Sequence, residues 1–116
     1  MNIIFAAASS FSEETLITLT GLDHEIVAVL TQPDRQSGRG LKKTKNPIKK
    51  MAQKLDLPVL EYESLANPQA YKTIKKLAPD LLLTMAYGEY VPSKILGIPL
   101  YEAINIHPSC LLYTSD

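Results

Sequence analysis

The chain alternates short apolar segments with helix-start signals, and this alternation constrains its fold more than any other feature. Predominantly apolar runs occupy residues 2–8, 25–30, 57–60 and 80–85, and a fifth strand-like run follows at 101–106. Runs without regular polar alternation are typical of strands in a parallel sheet that is covered on both faces. Strands that alternate with helices along the chain therefore predict a doubly wound α/β domain with a mostly parallel sheet.

The helices between these strands are predicted from their first residues. Asn46-Pro47 and Asn67-Pro68 each place an N-cap residue before a proline at the first helical position. Ser10 and Glu13 have the spacing of a capping box, which predicts a helix with Ser10 at its N-cap. No Gly-x-Gly-x-x-Gly motif lies between the first strand and this helix, so the sequence argues against a dinucleotide site.

Length and composition limit the classes of protein that the chain can belong to. Its 116 residues suffice for one domain, and its single cysteine, Cys110, excludes an internal disulfide and a cysteine-rich zinc site. The two histidines, His24 and His107, lie too far apart to give a metal-binding spacing, so no metal is expected. No signal-peptide pattern follows Met1, and no apolar stretch approaches the ~20 residues of a membrane span. We therefore expect a cytoplasmic protein.

A net charge of zero hides a strongly basic segment. Eight of the twelve Lys and Arg residues lie between positions 35 and 54, where there is no Asp or Glu. On the helix predicted after Pro47, the lysines are best interpreted as a solvated face. The remaining basic residues lie on a glycine-punctuated loop, where they are candidates for contacts with the phosphates of RNA. These candidate RNA-binding residues are Arg35, Arg39, Lys42, Lys43 and Lys45.

Two polar residues close the last predicted strand. Asn105 and His107 alternate with Ile106, so they are expected on the same side of an extended segment, and Pro108 cannot continue the ladder. In an open parallel sheet, ligands bind at this carboxyl edge. An asparagine amide can donate a hydrogen bond to a developing oxyanion, and an imidazole can exchange a proton near neutral pH. On these residues alone, a pair that closes a strand and bonds local backbone is the simpler interpretation.

Several motifs together resemble the amino-terminal domain of the methionyl-tRNA formyltransferases. The most specific is Thr31-Gln-Pro-Asp-Arg-Gln-Ser-Gly-Arg-Gly40, which is followed by a basic segment that ends in Pro47-Ile-Lys-Lys50. Ala86-Tyr-Gly88 and Asn105-Ile-His-Pro-Ser109 resemble motifs that folate-dependent formyltransferases share more widely. The first turn departs from the family, because Ala6-Ala-Ala-Ser9 stands where Ala-Gly-Thr-Pro is common.

The resemblance implies a Rossmann-like fold with strand order 3-2-1-4-5, in a parent enzyme that is a monomer. It implies transfer of a formyl group from 10-formyltetrahydrofolate to the amino group of methionyl initiator tRNA. Asn105 and His107 match two catalytic residues of the family, and the third, an aspartate, has no counterpart here. Folate-binding positions are matched by Ala86, Tyr87, Gly88 and Ser109. The segment from Asp34 to Lys45 matches the part that folds onto the tRNA acceptor end.

The resemblance also gives an expected domain division. Residues 1–109 match an incomplete folate-binding domain, whereas 110–116 depart from the family's Ser-Leu-Leu-Pro loop. The heptapeptide from Cys110 to Asp116 resembles what a transposon adapter used in sequencing libraries would encode. We therefore expect 110–116 to be a non-native tail, and the chain alone to be an inactive, truncated fragment.

Two other functions remain open at this stage. A related formyltransferase could act on the amine of a nucleotide or an amino sugar, although the loop from Thr31 to Gly40 argues against this. A non-catalytic α/β module could bind RNA through the basic loop alone, in which case binding would be indifferent to folate and to Asn105.

Overall fold

The computed structural model describes residues 1–33 and 46–106 in full, together with the backbone of two short strands between them. A 3-10 turn at Ser10–Ser12 precedes the first helix. The strands are β1 Asn2–Ala7, β2 Glu25–Thr31, β3 Arg35–Ser37, β4 Lys42–Thr44, β5 Val59–Glu61, β6 Leu81–Met85 and β7 Glu102–Ile106. The helices are α1 Glu13–Thr20, α2 Pro47–Lys54, α3 Pro68–Lys76 and α4 Ser93–Leu96.

Five strands form one sheet in the order β5-β2-β1-β6-β7, and all neighbouring pairs are parallel. This arrangement confirms the predicted α/β fold and, counted over these five strands, the order 3-2-1-4-5. The chain moves outward from β1 through β2 to β5, and then crosses back to place β6 on the other side of β1. The strand order therefore reverses between β1 and β6, which is the topological switch point of such a sheet.

Alternate residues of the central strand supply two separate cores, one on each face of the sheet. Ile3 and Phe5 pack in a cluster that includes Leu16 of α1 and Ile48 of α2. The intervening side chains of β1, among them Ile4, pack in a second cluster with residues of α3 and α4. Because successive strand residues point to opposite faces, burial on both sides explains the unbroken apolar runs in the sequence.

The two Asn-Pro signals do start helices, whereas the predicted cap at Ser10 is wrong. Asn46 and Asn67 are the N-caps of α2 and α3, and their side chains accept from two backbone N–H groups and from one, respectively. Ser9 caps the 3-10 turn instead of Ser10, and α1 begins only at Glu13. Ser12 occupies the N-cap position of α1 but caps nothing with its side chain, because its buried hydroxyl donates to the Met85 carbonyl at 2.9 Å.

The segment after Thr31 contains two described strands, β3 and β4. Its backbone forms an antiparallel ribbon in which β3 pairs with β4, and Arg35 lies opposite Thr44. Regular pairing in this segment was not predicted, because its residues show no apolar alternation. We call residues 34–45, which include this pair of strands, the basic ribbon.

The prediction that β7 is buried is wrong for part of the strand. Ala103 and Ile106 pack against the two cores. Ile104 in the same strand is 39% exposed, and the preceding Tyr101 is 67% exposed. β7 is the last strand on its side of the described sheet, so fewer elements cover it than cover β1 or β6.

Among the described helices, none is long and apolar enough to cross a membrane.

Candidate active site

The carboxyl ends of β1 and β6 meet at the switch point of the sheet. The N–H of Ala8, directly after β1, donates to the carbonyl of Ala86, directly after β6, at 3.2 Å. This hydrogen bond joins the turn that departs from the resembled family to the turn that matches it. The two turns are thus in direct contact, although the sequence of residues 6–9 departs from that of the family.

The turn after β6 has an unusual backbone. Ala86 has φ +50° and Gly88 has φ +83°, both in the left-handed region that side chains disfavour. The positive φ favours glycine at position 88, and a Cβ atom there would lie 2.8 Å from Nε2 of Gln32, so the end of that side chain would have to shift. Gln32 Nε2 also donates to the carbonyl of Tyr87 at 2.5 Å. The side chain that follows β2 therefore fixes the backbone of the turn that follows β6.

Asn105 lies beside this turn, near the carboxyl end of β7. It is paired in register with Thr84 of β6, and the Thr84 hydroxyl donates to Asn105 Oδ1 at 3.0 Å. This bond engages the oxygen of the carboxamide, so Nδ2 is the donor end of the group. The hydrogen bond thus holds the Asn105 side chain in a defined orientation beside the turn.

A cleft of about 480 Å³ runs along these residues. This volume is within the range of small-molecule sites. Its lining combines the turn and apolar residues with a few polar residues, among them Thr84, Glu89 and Asn105, a mixture typical of small-molecule sites. The lining residues are Thr84, Ala86, Tyr87, Gly88, Glu89, Tyr90, Val91, Leu96, Asn105 and Ile106.

Tyr87 is mostly core and only partly cleft wall. Its side chain is 4% exposed and packs among the apolar residues of the α3 and α4 face. Its hydroxyl is buried and has no hydrogen-bond partner within residues 1–33 and 46–106. Burial, and secondarily the negative charge of Glu89, raises the pKa of Tyr87 to about 12. The phenol therefore stays protonated through the physiological range.

Four of the residues predicted to form the site come together. Asn105, Ala86, Tyr87 and Gly88 line the same cleft. His107 and Ser109 lie outside the described residues, so their assignments stay predictions, and the tail 110–116 lies outside as well. Of the predicted RNA-binding residues, Arg39 and Lys45 lie outside too. The backbone of the other three, Arg35, Lys42 and Lys43, belongs to the basic ribbon.

Three further side chains support the site, those of Gln32, Thr84 and Asn46. Of their contacts, the sequence predicted only the helix cap at Asn46. Gln32 is 7% exposed and contacts a residue 55 positions away along the chain, and no periodicity signals such a contact. Asn46 Nδ2 donates to Thr31 Oγ1 at 2.7 Å and to the Gln32 carbonyl at 2.9 Å. The one available signal was the position of Gln32 within the specific motif that starts at Thr31.

A larger cleft, of about 670 Å³, lies near the amino-terminal side of β6, next to Pro79 and Asp80. The ammonium groups of Lys75 and Lys94 lie 5.5 and 4.8 Å from the centroid of the Tyr71 ring that lines it. Asp80 Oδ2 accepts from the backbone N–H of Asn2 at 2.7 Å, which is a structural role. The carboxyl ends of the strands, where ligands bind in open sheets, are on the opposite side of the sheet from this cleft.

No cluster of three or more His, Cys, Asp or Glu residues suited to a metal ion occurs in the described part of the chain.

The parallel sheet, the helices on both faces and the cleft beside the switch point define a Rossmann-like α/β domain. A family model described as formyl transferase matches residues 1–112. The chain belongs to this family of enzymes.

The chain is similar to several curated proteins named methionyl-tRNA formyltransferase. It is 43% identical over 111 residues to that of Hydrogenovibrio crunogenus, an overlap that covers 96% of this chain and 36% of the relative. Identity is 41% over 111 residues to that of Geobacter sulfurreducens, with 96% and 35% covered. For that of a Sulfurihydrogenibium species it is 40% over 112 residues, with 96% and 36% covered. The chain thus spans about a third of the length of the curated relatives it matches.

Proposed function

We propose that this chain is the folate-binding part of an enzyme that formylates the amino group of methionyl initiator tRNA, with 10-formyltetrahydrofolate as the donor. Membership of the formyl transferase family supports the reaction class. The names of the relatives support the tRNA substrate. The observation that carries the proposal is the placement of Asn105, which the Thr84 hydroxyl orients on the wall of a cleft of suitable size.

The cleft offers what a folate head group needs. A pterin is flat, with hydrogen-bond donors and acceptors along its edges. The turn from Ala86 to Gly88 lines the cleft together with Thr84 and Asn105, and Val91, Leu96 and Ile106 contribute apolar wall. Such a combination of apolar surface with a few fixed polar groups is typical of small-molecule sites.

Formyl transfer requires two kinds of help from the protein. The amine nitrogen attacks the formyl carbon, a C–N bond forms, and the carbonyl oxygen takes the electron pair as an oxyanion. A donor that meets this oxygen only as charge develops lowers the barrier, typically by about 2.7–4 kcal/mol. We assign this role to the Asn105 amide. The tetrahedral intermediate then collapses, the bond from carbon to N10 breaks, and N10 takes up a proton.

His107 is assigned the proton chemistry. The attacking amine must lose a proton, and an imidazole two residues beyond Asn105 has a suitable intrinsic pKa. The basic ribbon is assigned the RNA contact through Arg35, Arg39, Lys42, Lys43 and Lys45. Ser109 is assigned to the folate site with the turn of 86–88. We further propose that residues 1–109 form the folate-binding domain and that the protein acts in the cytoplasm, where initiator tRNA is charged.

A chimeric enzyme tests this proposal. Residues 1–109 of this chain replace the matching segment of the Hydrogenovibrio crunogenus relative, which supplies the remainder of the protein. We expect the chimera to formylate methionyl initiator tRNA with 10-formyltetrahydrofolate, and not to formylate glycinamide ribonucleotide. The unaltered relative is the control for the assay. Turnover of glycinamide ribonucleotide alone would favour a formyltransferase for another amine. Tight RNA binding without any turnover would favour a non-catalytic RNA-binding module.

A further inference from the structure

The cleft next to Pro79 and Asp80 has two lysine side chains beside one aromatic ring. The Nζ atoms of Lys75, on α3, and Lys94, on α4, lie 5.5 and 4.8 Å from the centroid of the Tyr71 ring. Both lysines are exposed, whereas the ring is half-buried and packs against the core of this face. Contact between a cation and the face of a tyrosine ring is favourable. The ring therefore holds two ammonium groups from different helices beside the same cleft.

The positive charge of these two groups is not neutralised by neighbouring side chains. Within residues 1–33 and 46–106, neither Lys75 nor Lys94 forms an ion pair with an acidic side chain. The helix α3 carries three lysines and no acidic residue. Of the described lining residues only Asp80 is acidic, and its Oδ2 already accepts from the backbone N–H of Asn2 at 2.7 Å. An anion close to both ammonium groups is therefore electrostatically favoured.

The size and lining of the cleft indicate what kind of anion it can hold. Its volume of about 670 Å³ is within the range of small-molecule sites and exceeds what a bare phosphate fills. Pro79, Ile98 and Leu100 are apolar residues of the lining. Lysine binds phosphate as a point charge, and two lysines balance the charge of roughly −2 on a terminal phosphate group. A ligand with phosphate at one end and a flatter, less polar body at the other matches both parts of the lining.

We propose that this cleft is a second ligand site, which binds the phosphate groups of a nucleotide through Lys75 and Lys94. The described linings of this cleft and of the cleft beside Asn105 have no residue in common. The backbone of RNA carries the same phosphate chemistry, but a concave site of this volume favours a free nucleotide. Neither lysine is assigned a part in formyl transfer, so the two sites can be tested independently.

Nuclear magnetic resonance titrations of the 116-residue chain with ATP in magnesium-free buffer test the site. We expect ATP to bind with a Kd on the order of 0.1–1 mM and to shift the signals of Tyr71, Gly97 and Ile98. The signals of Gly88 and Asn105, which belong to the other cleft, should shift little. AMP has less charge and pyrophosphate has no nucleoside, so each should bind at least about threefold more weakly than ATP. Pyrophosphate that binds as tightly as ATP would contradict a nucleotide site.

Substitution of the two lysines tests their role directly. Lys75→Gln with Lys94→Gln removes both charges at exposed positions, and we expect the affinity for ATP to fall by at least about tenfold. Lys50→Gln with Lys54→Gln removes the same charge from exposed positions of α2 and is the matched control, with an expected change below about twofold. An equal loss in both double variants would mean that ATP responds to net charge, and would overturn the site.

A short single-stranded RNA distinguishes the two sources of phosphate. Its backbone has the same charged groups, but it is too large to enter the cleft. We expect the affinity for this RNA to change by less than about twofold in the variant that lacks Lys75 and Lys94. Weaker binding of RNA with unchanged binding of ATP would assign the lysines to an RNA backbone and overturn the nucleotide site.

The remaining outcomes separate this site from the one beside Asn105. Absence of ATP binding up to about 10 mM, or shifts confined to Gly88 and Asn105, would overturn the second site. Neither result would bear on formyl transfer, because that reaction is tested in the chimeric enzyme and uses none of these lining residues. In the chimera, Lys75→Gln with Lys94→Gln should keep kcat for formyl transfer within about twofold. A larger loss would place the lysines in the formyl transfer site and overturn their assignment to a separate one.

Discussion

The Thr84 hydroxyl donates a hydrogen bond of 3.0 Å to Oδ1 of Asn105, across two parallel strands that end at the candidate active site. Thr84 is 9% exposed, so this bond connects the edge of the core to a side chain on the cleft wall. A donor that is oriented before the substrate arrives costs no reorganisation during the reaction. The pair therefore explains how an exposed asparagine on a terminal strand can keep a defined orientation.

Replacement of Asn105 by alanine in the chimeric enzyme removes the proposed oxyanion donor. We expect kcat to fall by about 100–1,000-fold, while the Kd for 10-formyltetrahydrofolate changes much less, because the oxyanion exists only after attack. Single-turnover formylation and a folate titration measure the two quantities. Turnover within about threefold of the chimera would exclude Asn105 from the mechanism.

Substitutions of Thr84 test whether its hydrogen bond to Asn105 contributes to turnover. Thr84→Val removes the donor at almost constant volume, and we expect it to lower kcat by about tenfold, less than the loss of the amide itself. Thr84→Ser keeps the hydroxyl and should restore most of the activity. An equal loss in the valine and serine variants would mean that packing of the methyl group, not the hydrogen bond, is what matters.

Asn46 and Asn67 allow a matched test of how much the hydrogen bonds from Asn46 to Thr31 and Gln32 stabilise the fold. Both cap a helix that starts with proline, but Asn46 also bonds Thr31 and Gln32. Asn67→Ala should lower the free energy of unfolding by about 1 kcal/mol, the usual value of a cap. Asn46→Ala should lower it by about 2–3 kcal/mol, because it removes two further hydrogen bonds in a partly buried place. Urea unfolding of the chain measures both, and equal losses would show that the ties to β2 add no stability.

The parts of the fold that could be predicted from the sequence are those determined by residues that lie close together along the chain. Asn46-Pro47 and Asn67-Pro68 act within one helical turn, and a run such as 81–85 reflects burial on both faces of its own strand. The strand order came from the family resemblance, because pairing between strands leaves no periodic signal in a single sequence. Formation of β3 and β4 was missed for the same reason.

The polar contacts that build the site were not predictable, because their partners lie far apart along the chain. Ser12 was not recognised as a buried donor, since its acceptor, Met85, lies 73 positions away. Gln32 and Tyr87 are separated by 55 positions. The position of Asn105 at the end of a strand made it a candidate, and the family resemblance nominated both Asn105 and the turn of 86–88 as site residues. They could not nominate the side chains that hold these groups in place.

Tyr87→Phe should stabilise the chain. The Tyr87 hydroxyl is buried without a partner among the described residues, so its removal should raise the free energy of unfolding by about 1 kcal/mol at pH 7. Tyr101→Phe removes an exposed hydroxyl and is the control, with an expected change below about 0.5 kcal/mol. A destabilised phenylalanine variant would mean that the hydroxyl has a partner worth keeping.

Tyr87→Phe should also change how the free energy of unfolding depends on pH in the alkaline range. The pKa of Tyr87 is raised to about 12 in the folded chain, above the usual value of about 10 for an unfolded tyrosine. Between these pH values the unfolded state releases the proton first. The contribution of this group to the free energy of unfolding is therefore complete below pH ~10 and falls as the pH rises towards ~12. We expect this group to contribute a loss on the order of 2 kcal/mol that Tyr87→Phe does not show. Urea unfolding of both chains from pH 9 to 12 measures the difference, and parallel curves would contradict burial of the phenol.

The basic ribbon should contribute affinity for tRNA through charge. Arg39→Ala with Lys42→Ala removes two cations from the ribbon, and removal of each cation that pairs with a phosphate should lower the salt dependence by about 0.7–0.9 units of log Kd per log salt. We therefore expect weaker binding of methionyl initiator tRNA to the chimeric enzyme and a slope that is smaller by about one to two units. Lys50→Ala with Lys54→Ala removes the same charge from the exposed face of α2, where lysines are interpreted as a solvated surface, and should change the slope by less than about half a unit. Fluorescence titrations at salt concentrations from about 50 to about 300 mM distinguish the two pairs. An equal change in both would mean that tRNA responds to the overall positive field of residues 35–54, whereas no change in either would remove the ribbon from the tRNA site.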